Sequence, residues 1–458
     1  MKFLEKLRQE GNLKKKNETL LIPAVEQLQP LRGIEPEWVA DHAPKDPQEP
    51  LRKALTERRK KQSQTARNEG ELLRDWERSA QILGGRSLSN ESGTYIHRLE
   101  PCVQPYPDLK ANDRNLSSRI SGLVSLLQGG QSVSELSQVV FLDTETTGLS
   151  GGTGTYAFLI GIGFWNGSVF TVEQFFMRDF HEEPALLQAL EERLKTARVL
   201  ITFNGKSFDI PLLKSRFILT RRAWPLVSVL HVDLLFPARR IWKLRLGDCR
   251  LGNLEKEILG DERPEDVAGN LIPQIYFNYT RSGNPVGIRK ILSHNFRDLV
   301  ALARLTLKVS EILHGKKKTA LFPEELFSVG SYFNQLGERE AAMDWNQAAL
   351  SFPLQKELRL AAMKNLAKSY RSRRLFSQAV ELWNSLIEES ASFQEGVYES
   401  LSVHYEHREK DLAKALDLTE QAIQQVSRET SRVRWKSRRE RLLRKLGREA
   451  SLLNLTTK

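Results

Sequence analysis

The sequence predicts a mixed α/β layered domain followed by an all-α domain of helical repeats. Three observations support this order. From about residue 138, short runs of β-branched and aromatic residues alternate with glycine-rich turns, which indicates consecutive strands of one sheet. Segments with apolar residues three and four positions apart come next and predict helices that flank the sheet. After residue 320, small and aromatic residues recur about every 36 residues, a period typical of stacked helix pairs.

Composition limits the classes of function. The chain has 458 residues, of which 40% are hydrophobic and 28% are charged, so we expect a water-soluble protein of about three structural units. Lys and Arg number 69 against 57 Asp and Glu, which gives a net charge of +12. This surplus predicts a polyanionic partner, and nucleic acid is the one that the motifs below favour.

Cysteine usage and hydropathy exclude two further classes. The two cysteines, Cys102 and Cys249, are too few for a disulfide framework or a four-cysteine zinc module. The longest apolar run, Ala157–Trp165, is too short for a membrane helix, and the N-terminus has no signal-peptide pattern. We therefore expect a cytoplasmic protein without membrane association.

The first part of the chain lacks the patterns of a folded domain. Residues 1–95 are polar and charged, and six prolines between Pro23 and Pro50 interrupt any long helix. We expect a flexible N-terminal region over residues 1–95 and a lead-in segment over residues 96–136.

The α/β domain is predicted over residues 137–315, where strands and helices follow one another as in a sheet covered by helices. The predicted strands are Val139–Leu142, Ala157–Trp165, Val169–Phe176 and Val199–Phe203, and the predicted helices are Glu183–Thr196, Ser207–Leu219 and Ile288–Leu313.

The repeats are predicted over residues 320–425. Small residues at their helix contacts let antiparallel helices approach closely. The recurring positions are Gly330, Phe333, Ala342 and Ala349, then Ala367, Tyr370, Ala379 and Leu386, then Ser402, Tyr405, Ala415 and Ala422. These segments resemble tetratricopeptide repeats, and a plain helical bundle is the alternative. Residues 426–458 form a basic helical pattern, either a polar cap of the repeats or a phosphate-contacting helix.

Two carboxylates lie at the end of the first predicted strand. Side chains two residues apart on a strand project from the same face, so Asp143 and Glu145 share one face just before the Thr147-Gly148 turn. A half-buried pair of like charges is unfavourable unless a positive group neutralises it. Because no lysine or arginine is adjacent in sequence, a divalent cation is the simplest explanation, and carboxylate oxygens suit Mg²⁺ or Mn²⁺.

Further ligands follow later in the chain. Asp209 lies in the first turn of the second helix, between Phe208 and Ile210, which we expect to be core anchors. His294 and Asp298 are four positions apart on the last helix and project from the same face. Four acids suit two-metal phosphodiester hydrolysis, in which two Mg²⁺ or Mn²⁺ ions clamp the attacking and leaving oxygens. His294 would accept a proton from the attacking water or orient it.

The three motifs together resemble those of the DEDD exonucleases, which have a ribonuclease H-like fold. The run Asp143-Thr144-Glu145-Thr146-Thr147-Gly148 is similar to the first motif of that family, Asn204…Phe208-Asp209 to the second, and His294…Asp298 to the third. With its repeats, the chain beyond the N-terminal region resembles the YprB-type mitomycin-repair exonuclease family.

The resemblance implies a fold and an activity. The expected fold is an α/β ribonuclease H-like exonuclease domain, with a mixed sheet and flanking helices, followed by an all-α tetratricopeptide-like repeat domain. The expected activity is 3′→5′ exonuclease activity on DNA, and the expected role is cooperation with a helicase in the removal of DNA damage.

Two departures from the family pattern concern the histidine. Three residues separate His294 from Asp298, and four separate Asn204 from Asp209. Histidine-type relatives usually have four residues in the first interval and one fewer in the second, and both spacings found here are those of relatives with tyrosine at the histidine position. His294 therefore either takes the proton or only positions the water.

Several other residues are predicted to contact nucleic acid. They are Thr144, Asn204, Lys206, Arg239, Arg240, Trp242 and Lys243. In the last four, basic and aromatic side chains alternate in a way that can grip phosphates and stack a base, with a solvated loop as the alternative. We interpret the nearby His231 and Asp233 as a local structural pair rather than a second acid–base pair.

The motifs therefore predict a metal-dependent nuclease, and the resemblance implies a 3′→5′ exonuclease that acts on DNA and uses its repeats to bind a protein partner such as a helicase. One alternative is an RNA exonuclease, because the motifs do not show whether the substrate pocket accepts or excludes the ribose 2′-OH. The other is a non-catalytic nucleic-acid-binding scaffold that acts through its helical repeats.

Overall fold

The computed structural model describes residues 77–102, 106, 109, 115–148, 154–315 and 318–456, with side chains described up to residue 447. Most of the region that the sequence predicts to be flexible, residues 1–76, lies outside the described residues. Everything below concerns the described part of the chain.

Within the described residues, seven strands form one mixed sheet. They are β1 (Arg86–Asn90), β2 (Gly93–Pro101), β3 (Val139–Thr146), β4 (Ala157–Asn166), β5 (Val169–Phe176), β6 (Val199–Thr202) and β7 (Leu230–Asp233). Their order in the sheet is β1-β2-β5-β4-β3-β6-β7. Strand β3 pairs antiparallel with β4 and parallel with β6, and β7 continues the parallel side. The predicted mixed sheet is confirmed.

Strand β3 is a central strand because its apolar residues are buried on both faces. Val139 and Phe141 belong to one apolar core cluster, and Val140 and Leu142 belong to the other. Alternating side chains on a strand that is covered from both sides produce this division. The continuous apolar run Val139–Leu142 therefore predicted the strand correctly, and its carboxyl end carries the acidic motif.

The predicted start of the α/β domain is wrong. Strands β1 and β2 lie in residues that were expected to belong to the flexible region and the lead-in, and β2 pairs antiparallel with β5. Tyr95 and Ile96 of β2 are buried in the core. Strand β1 is short and largely exposed, so it has no apolar alternation to reveal it, and its pairing comes from tertiary context. The described part of the domain therefore reaches back from residue 137 to at least Ala80 and Leu83, which belong to the same core cluster as Tyr95 and Ile96.

Helices cover both faces of this sheet. They are α1 (Leu116–Leu127), α2 (Glu183–Leu194), α3 (Asp209–Leu219), α4 (Leu235–Leu246), α5 (Leu251–Leu254), α6 (Ile272–Ser282) and α7 (Val286–Leu313). Helices α1 and α4 contribute to one core cluster and α2, α3 and α6 to the other, whereas α7 contributes to both. The stretch of α7 between its two apolar parts contains the predicted His294 and Asp298. None of the helices within the described residues combines the length and apolar character needed to cross a membrane.

The all-α region predicted after residue 320 is confirmed. It consists of α8 (Pro323–Leu336), α9 (Arg339–Leu350), α10 (Lys356–Ser372), α11 (Phe376–Glu389), α12 (Glu395–His404), α13 (Leu412–Gln425) and α14 (Glu429–Thr456), and each helix packs against the next. Gly330 shows why small residues recur, because a Cβ there would lie 2.8 Å from Nδ2 of Asn346. The assignment of these helices to tetratricopeptide repeats stays a prediction.

The first helix of this region packs against the α/β domain. Helix α8 contacts α4, and Leu326 and Val329 of α8 belong to the same apolar cluster as Trp242 of α4. At the edge of this contact, Nε of Arg245 lies 2.8 Å from Oε1 of Glu325. The core of the α/β domain is therefore continuous with the start of the helical region.

The basic C-terminal segment forms helix α14, which packs on the preceding helices through the buried Trp435 and Leu442. Arg441 and Lys445 donate hydrogen bonds to the buried carboxylate of Glu406. Burial alone would raise the pKa of Glu406, but these hydrogen bonds lower it below its ordinary value. For these two cations, the contacts support the capping interpretation.

Candidate active site

The first acidic motif lies where β3 leaves the sheet. Asp143 is opposite Gly161 of β4, Glu145 is opposite Leu159, and the register shifts between Glu145 and Thr146. Glu145 is buried, and Asp143 is partly buried. The strand thus carries both carboxylates from the apolar core to the end of the sheet.

Helix α7 brings a buried amide to this strand. Asn295 is 0% exposed, and its Nδ2 donates a hydrogen bond of 2.8 Å to Oδ2 of Asp143. Gly161 permits this approach, because a Cβ there would overlap Oδ1 of Asn295 and lie 2.7 Å from Cδ1 of Leu299. The sequence analysis missed Asn295. The one feature of the sequence that could have identified Asn295 is that it is a polar residue among the apolar positions of α7.

Three of the predicted residues converge on one point. Nε2 of His294 lies 3.3 Å from Oδ2 of Asp298 and 3.9 Å from Oε1 of Glu145. One ligand atom from each of these residues lies within 4.8 Å of the other two, a spacing that can hold a metal ion. Residues far apart in sequence, on β3 and α7, therefore form one potential ligand group.

Asp209 approaches the same strand from the N-terminus of α3. Oγ1 of Thr144 donates a hydrogen bond of 2.6 Å to Oδ1 of Asp209. Asp143 and Asp209 are not part of the group within 4.8 Å, but their carboxylates repel each other electrostatically. The expectation for Phe208 is wrong, because it is 53% exposed, whereas Ile210 is buried as expected. An aromatic ring therefore lies exposed directly beside Asp209 in the chain.

Burial and mutual repulsion disfavour the ionised carboxylates. Burial raises the pKa of Asp143 and Glu145 well above their ordinary values, and neighbouring carboxylates raise both further. Burial also raises the pKa of Asp209 to about 6, in spite of the hydrogen bond from Thr144. A set of buried oxygen donors whose pKa values stay raised fits a divalent cation.

An arginine that the sequence analysis missed neutralises part of the site. Nη1 of Arg263 lies 2.7 Å from Oδ1 of Asp298 and 3.0 Å from Oδ2 of Asp266. Nε of Arg263 lies 2.5 Å from Oε2 of Glu255. The charged run Asp261–Asp266 is visible in the sequence, but only the fold brings it to α7. In the sequence, no positive side chain lies next to the acidic motif. The loop before α6 brings one, Arg263, to Asp298.

Asp266 also fixes the imidazole of His294. Nδ1 of His294 lies 2.8 Å from Oδ1 of Asp266. Burial raises the pKa of Asp266, but hydrogen bonds with His294 and Arg263 lower it overall, so this carboxylate stays ionised and accepts a hydrogen bond from Nδ1–H of His294. In a neutral imidazole with its proton on Nδ1, Nε2 is the acceptor. That nitrogen is the one that faces Glu145 and Asp298.

The predicted contacts Asn204 and Lys206 lie in a turn that Asp233 holds. Oδ1 of Asp233 accepts a hydrogen bond of 2.7 Å from the backbone N–H of Asn204, and Oδ2 accepts one of 3.0 Å from that of Lys206. Asn204 has a φ of 66°, a left-handed conformation that asparagine tolerates better than most residues. Nε2 of His231 lies 2.8 Å from Oγ1 of Thr202. These contacts support the interpretation of His231 and Asp233 as structural residues.

The role predicted for Trp242 in base stacking is wrong. Residues 235–246 form helix α4, not a loop, and the spacing of Ala238, Ile241 and Trp242 places the tryptophan on the face that packs against the sheet. Trp242 is 1% exposed and cannot stack a nucleobase. Arg239, Arg240 and Lys243 are exposed, and their contact with nucleic acid stays a prediction.

A cavity lies between this helix and the turn that leads to Asp209. Its volume is about 370 Å³, and Asn204, Arg239 and Lys243 are among its lining residues. Asp248, the one carboxylate among the described lining residues, already pairs with Arg250 at 2.7 Å. The described lining of the cavity therefore carries a net positive charge.

Comparison with known proteins gives matches in sequence and in structure. A family model described as RNase_H superfamily matches residues 140–310. Over 287 residues the chain is 32% identical to the protein YprB of Bacillus subtilis (strain 168), and the match covers 62% of this chain and 68% of that protein. The family B DNA polymerase of the archaeon Pyrobaculum calidifontis matches at 14% identity with a TM-score of 0.31, over 51% of this chain and 29% of the polymerase. The chain thus spans under a third of that polymerase.

Proposed function

The chain belongs to the family of Bacillus subtilis YprB and carries an RNase H-like nuclease domain, and from this premise we propose that it is a DEDD-type 3′→5′ exonuclease. The observation that carries the proposal is the convergence of Glu145, His294 and Asp298 within 4.8 Å. Asp143 and Asp209 are tied to neighbours of this group. Asp143 accepts a hydrogen bond from Asn295, which follows His294 in the chain, and Asp209 accepts one from Thr144, which precedes Glu145.

The donor set fits divalent cations. Asp143, Glu145, Asp209 and Asp298 would hold two Mg²⁺ or Mn²⁺ ions, because carboxylate oxygens are hard donors that these cations prefer. The raised pKa of Asp143 and Glu145 is consistent with a site that needs added positive charge. Such ions stabilise the negative charge that develops on the phosphoryl group during in-line displacement.

The side chains around these ligands orient the reacting groups. His294, with its Nδ1 bonded to Asp266, would accept a proton at Nε2 from the attacking water or orient that water. Asn295 and Thr144 hold the carboxylates of Asp143 and Asp209 in place before substrate enters. Arg263 would add a positive charge close to the phosphate and so favour its more negative transition state.

The substrate strand would approach over the cations of α4. Arg239 and Lys243 line the cavity next to Asn204, and the exposed ring of Phe208 lies beside Asp209. Phosphate contacts of this kind make binding weaken steeply as salt rises. The family resemblance favours DNA as the substrate, in repair of DNA damage together with a helicase.

End-labelled oligonucleotides test the proposal. We expect Mg²⁺ or Mn²⁺ to support stepwise release of mononucleotides from the 3′ end of single-stranded DNA, with a ladder from 5′-labelled strands, and EDTA to stop it. Asp209→Asn should abolish the reaction, while Arg373→Ala, on the helical region, should not change it. Internal cleavage, release from the 5′ end or full activity of the Asp209 variant would contradict the assignment.

Matched RNA strands in the same assay separate the two substrate classes. Faster degradation of RNA than of DNA would favour the RNA exonuclease alternative, since the substrate pocket would then use the 2′-OH. If no strand is hydrolysed in the presence of metal, the result would favour the alternative that the protein is a non-catalytic scaffold that binds nucleic acid.

A further inference from the structure

A continuous groove runs between helices α10, α11 and α12. Two cavities of about 340 Å³ and 430 Å³ adjoin there and share Arg371, Trp383 and Ser400 as lining residues. Since both open to the surface between the same helices, they form one groove, which we call the repeat groove.

One wall of the repeat groove is strongly basic. Lys364, Lys368 and Arg371 lie four and then three positions apart on α10, so they form one stripe on the helix surface, and all three are exposed. Arg374 extends the stripe beyond the end of α10. Among the described residues, no carboxylate forms an ion pair with any of these three cations on α10, so their charge is available to a ligand.

The lining carries almost no compensating negative charge. Glu395 is the one carboxylate among the described lining residues. Oε1 of Glu395 already accepts hydrogen bonds of 2.8 Å from Arg434 and 3.1 Å from Nε1 of Trp435, both on α14. The groove as a whole is therefore complementary to an anionic ligand.

The opposite wall and the floor leave room for a polypeptide. Gly396 and Ser400 lie one turn apart on α12 and line the groove with very small side chains. A Cβ added at Gly396 would meet no atom within 4 Å. The floor is apolar, because it is formed by Trp383 and Val397. Small side chains on one wall and an apolar floor suit a segment that inserts an apolar side chain.

We propose that the repeat groove binds an acidic peptide segment of a partner protein. Its carboxylates would pair with Lys364, Lys368 and Arg371, and an apolar side chain would pack against Trp383. Charge-assisted hydrogen bonds from arginine and lysine to carboxylates give such a contact its strength. The described lining of the repeat groove contains no residue of the acidic cluster, which comprises Asp143, Glu145, Asp209 and Asp298, so the inference does not depend on the nuclease chemistry.

The aromatic residues favour a peptide over a nucleic acid strand. Single strands bind by stacking bases on exposed aromatic faces between cations. Here Trp383 is 5% exposed, Phe376 is covered by the guanidinium of Arg408 at 4.6 Å, and Phe393 packs on Tyr398 at 5.2 Å. Among the described lining residues, the tryptophan and phenylalanine rings are therefore either buried or already in contact with a neighbouring side chain.

Fluorescence anisotropy on the full chain tests this proposal. The probe is a labelled peptide of about a dozen residues that combines glutamate with regularly spaced leucine. One reference is the same peptide with glutamine in place of glutamate, and the other is an oligothymidylate of similar length. EDTA is present throughout, so that the oligonucleotide is not degraded. We expect the acidic peptide to bind at least about tenfold more tightly than its glutamine counterpart.

Three variants locate the binding. Lys368→Ala combined with Arg371→Ala should weaken binding of the acidic peptide by about tenfold or more, which corresponds to about 1.4 kcal/mol. Gly396→Glu should do the same by placing a carboxylate opposite the basic wall, in space that is open. Arg373→Ala is the matched control, because this exposed arginine lies outside the groove, with its guanidinium 3.0 Å from Glu340. Unchanged thermal unfolding of each variant confirms that the helices are intact.

Three results would overturn the proposal. The first is equal affinity for the glutamate and glutamine peptides. The second is an equal loss of binding in the groove variants and in Arg373→Ala. The third is oligothymidylate binding that the groove variants abolish while they leave peptide binding unchanged, since the groove would then hold a nucleic acid strand.

Discussion

Nη1 of Arg263 lies 2.7 Å from Oδ1 of Asp298, whereas the carboxylate of Asp143 accepts its hydrogen bond from the neutral amide of Asn295. Both carboxylates belong to the same acidic cluster, but only Asp298 forms an ion pair with a cation. Removing one or the other should therefore have opposite effects on stability, although both are proposed metal ligands.

The first prediction compares Asp143→Asn with Asp298→Asn. Both should lower exonuclease activity by at least about 100-fold, because each removes a proposed metal ligand. In EDTA, Asp143→Asn should raise the unfolding temperature, since a buried carboxylate whose charge is disfavoured becomes a neutral amide. Asp298→Asn should lower it, because Arg263 loses a partner. Thermal unfolding in EDTA measures both shifts, expected at about 2–4 °C per kcal/mol. An equal increase in the two variants would contradict the assigned ion pair.

The second prediction concerns Arg263 itself. Arg263→Ala leaves Glu255, Asp266 and Asp298 without their shared cation, and loss of one member of such a buried network is expected to destabilise by about 3–5 kcal/mol. Mn²⁺ should raise the unfolding temperature of this variant more than that of the native chain, because the free carboxylates gain most from a cation.

Arg304→Ala is the control for this experiment, because it removes an ion pair with Asp261 in the same loop. It should lower stability without increasing the response to Mn²⁺. The role given to Arg263 is wrong if both variants respond to Mn²⁺ to the same extent.

The elements that local pattern determines were predictable from the sequence. Strand β3 follows from four consecutive apolar residues, and helix α7 follows from apolar positions three and four apart. The positions of Asp143 and Asp298 come directly from these two elements. That the motifs come together in space was expected from the needs of a two-metal site and from the family resemblance, and the structure brings Glu145, His294 and Asp298 within 4.8 Å.

Residues whose role depends on long-range contacts were not predictable. Arg263 lies in an irregular loop with no periodicity, and Asn295 takes its function from a strand about 150 residues earlier in the chain. Trp242 was misplaced because its neighbours are charged, which suggested a loop. The helix phase that buries it depends on the sheet beneath.

The third prediction tests the close approach of α7 to the sheet. Gly161→Ala inserts a methyl group where it would overlap the side chains of Asn295 and Leu299. Overpacking of this kind costs about 1–3 kcal/mol and should displace Asn295 from Asp143, so stability and exonuclease activity should both fall. Gly252→Ala is the matched control, since a Cβ there meets nothing within 4 Å. Native activity in Gly161→Ala would show that this packing does not position Asp143.

The fourth prediction separates the exposed and buried residues of α4. Lys243→Ala should weaken binding of single-stranded DNA in EDTA and reduce the slope of log K against log salt by about 0.7, because one phosphate contact is lost. Trp242→Phe should lower the unfolding temperature and leave that slope unchanged, because Trp242 lies in the core. Fluorescence anisotropy over a range of salt concentrations measures both. A slope that changes only in the Trp242 variant would reverse the assignment.

The fifth prediction is a pH dependence that arises from His231. Burial lowers the pKa of His231 from 6.5 to about 4. Between these two values the unfolded chain takes up a proton and the native chain does not, so the contribution of His231 to stability is complete above pH 6.5 and is lost as the pH falls toward 4. The carboxyls of the acidic cluster act in the opposite direction, because their raised pKa, about 6 for Asp209, lets the native chain bind protons first.

The effect of His231 is therefore isolated by comparing the unfolding temperatures of the native chain and of a variant without this histidine. His231→Gln can keep a hydrogen bond to Thr202 and does not titrate. We expect the unfolding temperature of the native chain, measured relative to this variant, to fall steadily from pH 6.5 to pH 4 and to be constant above pH 7. A difference that does not change with pH would mean that His231 binds its proton equally well in the folded and unfolded chain.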